Sequence, residues 1–183
     1  MFSRAVPLHA KPEPRERIVG PDGSAFVVRP ARAEDASAIH EILESWVTKG
    51  VILSRDFVDI EDTIESFAVA CSGEGEEGRI LACAALVVYS SRLAEIRSVA
   101  TDQRVQLRGA GRSVIDFLTE WAARLEIERV FLLTKTEEFF FRCGFVEVDP
   151  SMLPDSFLLD YVHAQGRTSK GKHVMIRDFA AEY

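Results

Sequence analysis

Cysteine is scarce: Cys71, Cys83 and Cys143 are the only three in 183 residues, and no two stand in a C-x-x-C pair. That argues against a zinc site of thiolate spacing and against a disulfide framework. The expectation is reduced, structural thiols and a cytoplasmic setting. Long apolar runs are also missing. The longest candidate, ILACAALVVY at 80–89, suits a buried strand and falls well short of the roughly 18 residues that would suggest a membrane span. Near the N-terminus, Pro7, His9, Lys11 and Pro12 interrupt any apolar stretch, so no export signal is expected. Positive charge is in deficit, with 22 Lys and Arg against 29 Asp and Glu and a net charge of -7. A general nucleic-acid binder, which needs a basic face for phosphates, is therefore disfavoured. His9, His40, His163 and His173 lack ligand spacing, and no metal is expected.

What remains is the composition of one ordinary globular domain. Residues 1–24, rich in Pro and charge, read as a tail or an edge segment, and 25–183 as the domain itself. AFVVR at 25–29 is a short strand closed by Pro30. Ile39, Ile42, Leu43, Trp46 and Val47 then repeat at helical spacing up to Gly50. A second helix is expected from about Asp56, with Val58, Ile60, Ile64 and Phe67 in loose register. Strands are expected at 67–71 and 80–89 around a polar turn, GEGEEG at 73–78, with a further strand EIRSVA at 95–100. The segment 109–125 is a helix carrying Val114, Phe117, Leu118, Trp121 and Ala122 on one face. After it come the strand ERVFLLT at 128–134, a short helix, a turn at Gly144 and a last strand near 173–176. The fold class is α/β: a central mixed sheet flanked by helices.

Between the strand at 95–100 and the helix at 109–125 lies QLRGAG, residues 106–111. A strand that feeds a helix through such a loop gathers unpaired backbone N–H groups and the positive end of the helix dipole at one point, which binds anions. Gly109 and Gly111 let the backbone approach a pyrophosphate closely, and Arg104, Arg108 and Arg112 add charge. A dinucleotide fingerprint needs a third glycine where this chain has Val114, so that reading is weak. The plain alternative is a glycine turn with a basic helix start.

QLRGAG resembles the Q/R-x-x-G-x-G/A signature of the GNAT superfamily of N-acetyltransferases, and FFFRCGF at 139–145 is similar to that family's late segment. The resemblance runs over roughly 26–179. It implies acetyl-CoA as donor, with its pyrophosphate on Gln106, Leu107, Arg108, Gly109, Ala110 and Gly111, Arg104 and Arg112 beside it, and its pantetheine along EIRSVA. Four segments are further similar to the N-acetylglutamate synthases, the amino-acid N-acetyltransferases that begin bacterial arginine biosynthesis. They are GVILSRD at 50–56, EIRSVA, VFLLTKTEEFFFRCGF at 130–145, and the tail with Leu153, Pro154, Tyr161 and GRTSKGKHVM at 166–175. That likeness implies the short, stand-alone form and L-glutamate as acceptor.

Transfer to an amine needs something to take the ammonium proton, and Glu95, on the strand beside the thioester, is the candidate base. Its plain alternative is a surface carboxylate paired with Arg92 or Arg97. Backbone N–H groups around Ser98 and Val99 are candidates for stabilising the carbonyl oxygen. The family commonly has a Tyr four residues before the late Gly to assist the departing thiolate; here Phe140 stands there, lining the donor channel without a donor group. Thr136 is the candidate replacement, against an alternative role as a helix N-cap. The resemblance assigns the two carboxylates of glutamate to Arg55 and Arg167, for which forked contacts suit. Two other readings stay open: acetylation of another small amine, glutamine or a peptide N-terminus, and a non-catalytic acyl-CoA sensor. A homodimer is also left open.

Overall fold

The computed structural model describes residues 11–20, 23–72, 78–104, 109–153 and 172–179. The expected turn residues 73–77, the loop residues Gln106, Leu107 and Arg108, and Pro154, Tyr161 and Arg167 lie outside the described residues.

Eight strands form one sheet in the order β1-β2-β3-β4-β5-β6-β8-β7. They are β1 (Arg15–Val19), β2 (Ala25–Pro30), β3 (Phe67–Ser72), β4 (Ile80–Val88), β5 (Leu93–Thr101), β6 (Arg129–Thr134), β7 (Val146–Val148) and β8 (His173–Asp178). All neighbours pair antiparallel except β5 and β6. A parallel pair needs a crossover, and helix α3 (Ala110–Arg124) supplies it. Two shorter helices, α1 (Ala36–Val47) and α2 (Phe57–Asp62), precede β3, and α4 (Glu137–Phe141) follows β6.

Both faces of the sheet are covered. Val114, Phe117, Leu118 and Trp121 of α3 are buried against Phe26, Val28, Leu86 and Ile96, while Ile39, Ile42 and Leu43 of α1 pack with Ile60, Phe67, Val69 and Cys83. This explains why β3 and β4 read as nearly continuous apolar runs: each has a hydrophobic layer on both sides. All three cysteines are free and buried, and burial pushes the Cys83 thiol up to about 12.

The extent of the second helix needs correction, and two outer strands add to what was expected. Residues 15–19 form an edge strand on β2, although RERIV alternates too little apolar surface to announce one. The second helix ends at Asp62, because Phe67 is the first residue of β3 and buries its ring in the core instead of continuing the helical register. A three-residue strand, β7, adds to the outer edge on β8.

The decisive feature is a parting of the sheet. β5 and β6 pair only at Leu93 with Arg129, Ala94 with Val130 and Glu95 with Phe131, yet β5 runs on to Thr101 and β6 to Thr134. The cause lies on the other side of β5. Between the β4 partners Cys83 and Ala85, β5 advances three residues, from Ala100 back to Arg97, so it carries one extra residue. Ser98 takes the left-handed conformation there, with φ 55. Such a bulge bends and over-twists its strand, which turns β5 away from β6 just beyond Glu95.

Candidate active site

The parted strands open onto a cavity of about 640 Å³. Its walls are Glu95 to Thr101 of β5, Leu132 to Thr134 of β6, Lys135, and Thr136, Phe139 and Phe140 at α4. Gly111 of α3 and Lys172 also line it, together with Trp46, Val51 to Arg55 and Asp59 from the α1–α2 region. Trp46 is fixed there by an Nε1–H donated to the carbonyl of Thr101 at 2.7 Å.

Glu95 sits at the apex of the split, in the last pairing that β5 and β6 share. It is 9% exposed, so its carboxylate is largely removed from solvent. Burial pushes its pKa up; the hydrogen bond from Tyr89 and the charges of Arg97, Lys172 and Arg55 pull the other way without cancelling it. The Tyr89 hydroxyl donates to Glu95 Oε2 at 2.6 Å, and the ring stacks on Phe131, the residue paired with Glu95. Burial and the neighbouring carboxylate push the Tyr89 phenol up, which keeps it a donor. Arg97 approaches the same oxygen, Nη1 to Oε2 at 3.8 Å. Neither Tyr89 nor Arg97 was a site residue on sequence grounds. Tyr89 reaches Glu95 only because the β4–β5 hairpin is tight, with Tyr89 N–H bonded to the Leu93 carbonyl at 3.0 Å.

A test follows for this pair. Tyr89→Phe removes a hydrogen bond that favours the ionised carboxylate, so the acid limb of kcat/KM is expected to move to higher pH. An unmoved limb would show that Tyr89 does not tune Glu95.

Arg55 enters the cavity from the chain between α1 and α2. Its Nη1 donates to Ser98 Oγ at 3.2 Å, its Nη2 to Thr63 Oγ1 at 3.1 Å, and its guanidinium lies over the Phe67 ring at 5.4 Å. Burial first, and then the charge of Arg97, lower its pKa. The contact with Ser98 ties Arg55 to the bulge. Ser98 and Val99 have no cross-strand partner in the register of either neighbour, and both line the cavity.

Thr136 occupies the N-cap position of α4 but makes no side-chain capping bond. Its hydroxyl meets Thr134 Oγ1 at 3.1 Å, and Thr134 Oγ1 also accepts the Thr136 N–H at 2.9 Å. Two hydroxyls therefore stand at the β6 end of the cavity, close to the wall where Phe140 is packed against Phe139 and Phe145.

At α3 the N-cap is Gly109, with φ 106, a backbone conformation that side chains oppose. Gly109 has no side chain with which to cap the helix, which leaves its first-turn N–H groups without that partner. Ala110 is buried, and at Gly111 a Cβ would stand 3.1 Å from Thr101 Cγ2, which holds the helix start tight against β5. Arg112 is exposed, 3.8 Å from Asp116. Arg104 has partners within the protein. Its Nε donates to buried Asp102 at 3.0 Å, Arg79 binds the same carboxylate, and Arg104 lines a separate concavity with Arg32 and Glu41. The sequence showed the charge but not the partner that claims it.

The site is a split parallel pair with a buried carboxylate at its apex and a helix start capped by Gly109 on its rim. The chain belongs to the acetyltransferase (GNAT) family, whose model matches residues 33–145, and it is an acetyl-CoA-dependent N-acetyltransferase. It is similar to an amino-acid acetyltransferase of Mycobacterium tuberculosis, 37% identical over 123 residues, 67% of this chain and 70% of the relative. An uncharacterized N-acetyltransferase of Chlorobaculum tepidum is 31% identical over 82% of this chain and 94% of its own length. Among solved structures, a Mycobacterium tuberculosis protein in complex with CoA superposes with TM-score 0.72 at 29% identity, covering 84% of this chain and 99% of that one. An N-acetylglutamate synthase from Neisseria gonorrhoeae, complexed with coenzyme A and N-acetyl-glutamate, gives 0.73 at 25% identity over 85% of this chain. This chain spans 35% of that synthase. No helix among the described residues is long and apolar enough to cross a membrane.

Proposed function

We propose that the protein transfers the acetyl group of acetyl-CoA to the α-amine of L-glutamate, by direct attack in a ternary complex. The observation that carries this reading is one cavity holding a buried carboxylate, Glu95, beside the guanidiniums of Arg55 and Arg97, in a chain whose net charge is -7. An acidic protein that concentrates cations at one cleft is equipped for an anionic acceptor. The likeness to amino-acid acetyltransferases and to a synthase crystallised with N-acetyl-glutamate supports the same acceptor.

In this mechanism acetyl-CoA lies in the split with its pyrophosphate on the segment from Gln106 to Gly111, where the first turn of α3 offers uncapped N–H groups. The bulge leaves backbone donors of Ser98 and Val99 free of strand pairing, in reach of the acetyl carbonyl. Glu95 takes a proton from the acceptor ammonium, and its raised pKa suits a base working near neutrality. The freed amine attacks the thioester carbon, the carbonyl electrons move onto oxygen, and their return expels the CoA thiolate. The nitrogen's second proton passes to the departing sulfur as the C–S bond breaks, so that CoA leaves as its thiol. Thr136, polarised by Thr134, donates to the leaving sulfur where Phe140 cannot. Arg55 holds a carboxylate of the acceptor, and Arg167 is assigned to the acceptor by the family likeness alone. Three buried free thiols fit a reducing compartment such as the cytoplasm.

Release of free CoA thiol, followed for each amino acid in turn, tests the acceptor. L-Glutamate is expected to give the highest kcat/KM. Turnover of some other amine with glutamate and glutamine both silent would overturn the assignment.

A further inference from the structure

Arg97 has no role in the reading above beyond its charge, yet its position is specific. It lies two residues beyond Glu95 on β5, past the point where β6 departs, so its guanidinium meets the cavity and not a neighbouring strand. Arg55 faces the same cavity, and Arg97 is the largest of the charges acting on it, an opposing one. Two guanidiniums held near each other in a partly desolvated cleft repel, unless an anion comes between them. Asp59 lines the same cavity and its charge acts on Arg55, but among the described residues no carboxylate forms an ion pair with Arg55. Arg55 is bonded to the neutral hydroxyls of Ser98 and Thr63, and Glu95 stays 3.8 Å from Arg97, beyond hydrogen-bond distance. Such an arrangement suits a carboxylate brought by the ligand.

We propose that Arg97 binds the α-carboxylate of the acceptor and so delivers the neighbouring amine to Glu95, leaving Arg55 for the side-chain carboxylate. This rests on the acceptor being an amino acid. The division of labour follows from covalent distance. An α-carboxylate and an α-amine share one carbon, so the cation that holds the first must adjoin the base that serves the second. Arg97 is the arginine whose guanidinium lies within 4 Å of Glu95 among the described ion pairs. Tyr89 and Arg97 both address Oε2, which leaves Oε1 to accept the ammonium proton.

The experiment compares L-glutamate with 4-aminobutyrate, the same skeleton without its α-carboxylate, in wild type and Arg97→Gln. In wild type, kcat/KM for glutamate is expected to exceed that for 4-aminobutyrate by about 10- to 100-fold, the scale of a forked charge-assisted contact. In Arg97→Gln, with each enzyme compared on its pH plateau above the acid limb of Glu95, the glutamate value is expected to fall by that factor more than the 4-aminobutyrate value, and Arg97→Lys restores part of the loss. An equal fall for both amines would place Arg97 in support of Glu95 alone and overturn the proposal. If 4-aminobutyrate turns over too slowly, calorimetric binding of glutamate to the CoA-bound enzyme decides: a 10- to 100-fold loss in Arg97→Gln supports the contact, and unchanged affinity refutes it. Should wild type ignore glutamate but acetylate another amino acid, the glutamate assignment fails by itself. The same comparison then runs with that amino acid and its decarboxylated amine.

Discussion

Glu95→Gln is expected to lower kcat by about 10²- to 10⁴-fold, the range of a positioned general base, while leaving the affinity for acetyl-CoA nearly unchanged. The substitution keeps size and shape, and the amide oxygen still accepts from Tyr89, so the sheet apex has no reason to rearrange. What disappears is the acid limb of the pH–rate profile, which in wild type should lie above the ordinary glutamate value because burial raises this carboxyl. Stability should move in the opposite direction. A carboxyl whose pKa is raised in the folded state contributes stability that is present below its unfolded pKa, about 4.3, and lost as pH rises through the folded value. At pH 8 the Glu95→Gln protein is therefore expected to melt at a higher temperature than wild type, and the gap should close toward pH 4. Loss of turnover with a gain in Tm separates a base from a structural carboxylate, which would lose both. Full activity in Glu95→Gln across the pH range would remove Glu95 as the base.

The second large effect is expected at Arg55. Arg55→Met removes a half-buried forked donor of about 1.5–3 kcal/mol to a carboxylate, so KM for glutamate should rise by roughly 10- to 100-fold. Glutamine, whose side chain presents no charge, should be penalised much less. The two acceptors would then converge, whereas wild type separates them. Because Arg55 also donates to Ser98 Oγ on the bulge, a modest fall in kcat is expected alongside. Arg55→Lys should recover charge but not the fork, giving an intermediate KM. Equal penalties for glutamate and glutamine would mean that Arg55 props the bulge and does not read the acceptor.

Local signals made parts of this molecule readable in advance. The apolar face of α3, the glycines that open it and the long buried strand β4 announce themselves through periodicity and composition. Glu95 was singled out through family likeness, since a lone carboxylate on a strand has no signature of its own. The rest depended on register. Tyr89 and Arg97 are ordinary residues until the hairpin and the bulge bring them to one oxygen of Glu95. The bulge in turn is a single extra residue, with no glycine to mark it, because Ser98 takes the left-handed position itself. The partner of Arg104 was equally hidden: buried Asp102 accepts from it and from Arg79. Strands β1 and β7 were not assigned as strands for a simpler reason: one is charged and the other only three residues long.

The most direct test is a crystal structure of the protein with CoA and L-glutamate bound together. The account predicts the pantetheine arm between β5 and β6, the acceptor amine on Glu95, and its carboxylates on Arg97 and Arg55. Density for glutamate with its carboxylates away from both arginines, or CoA outside the split, would contradict it.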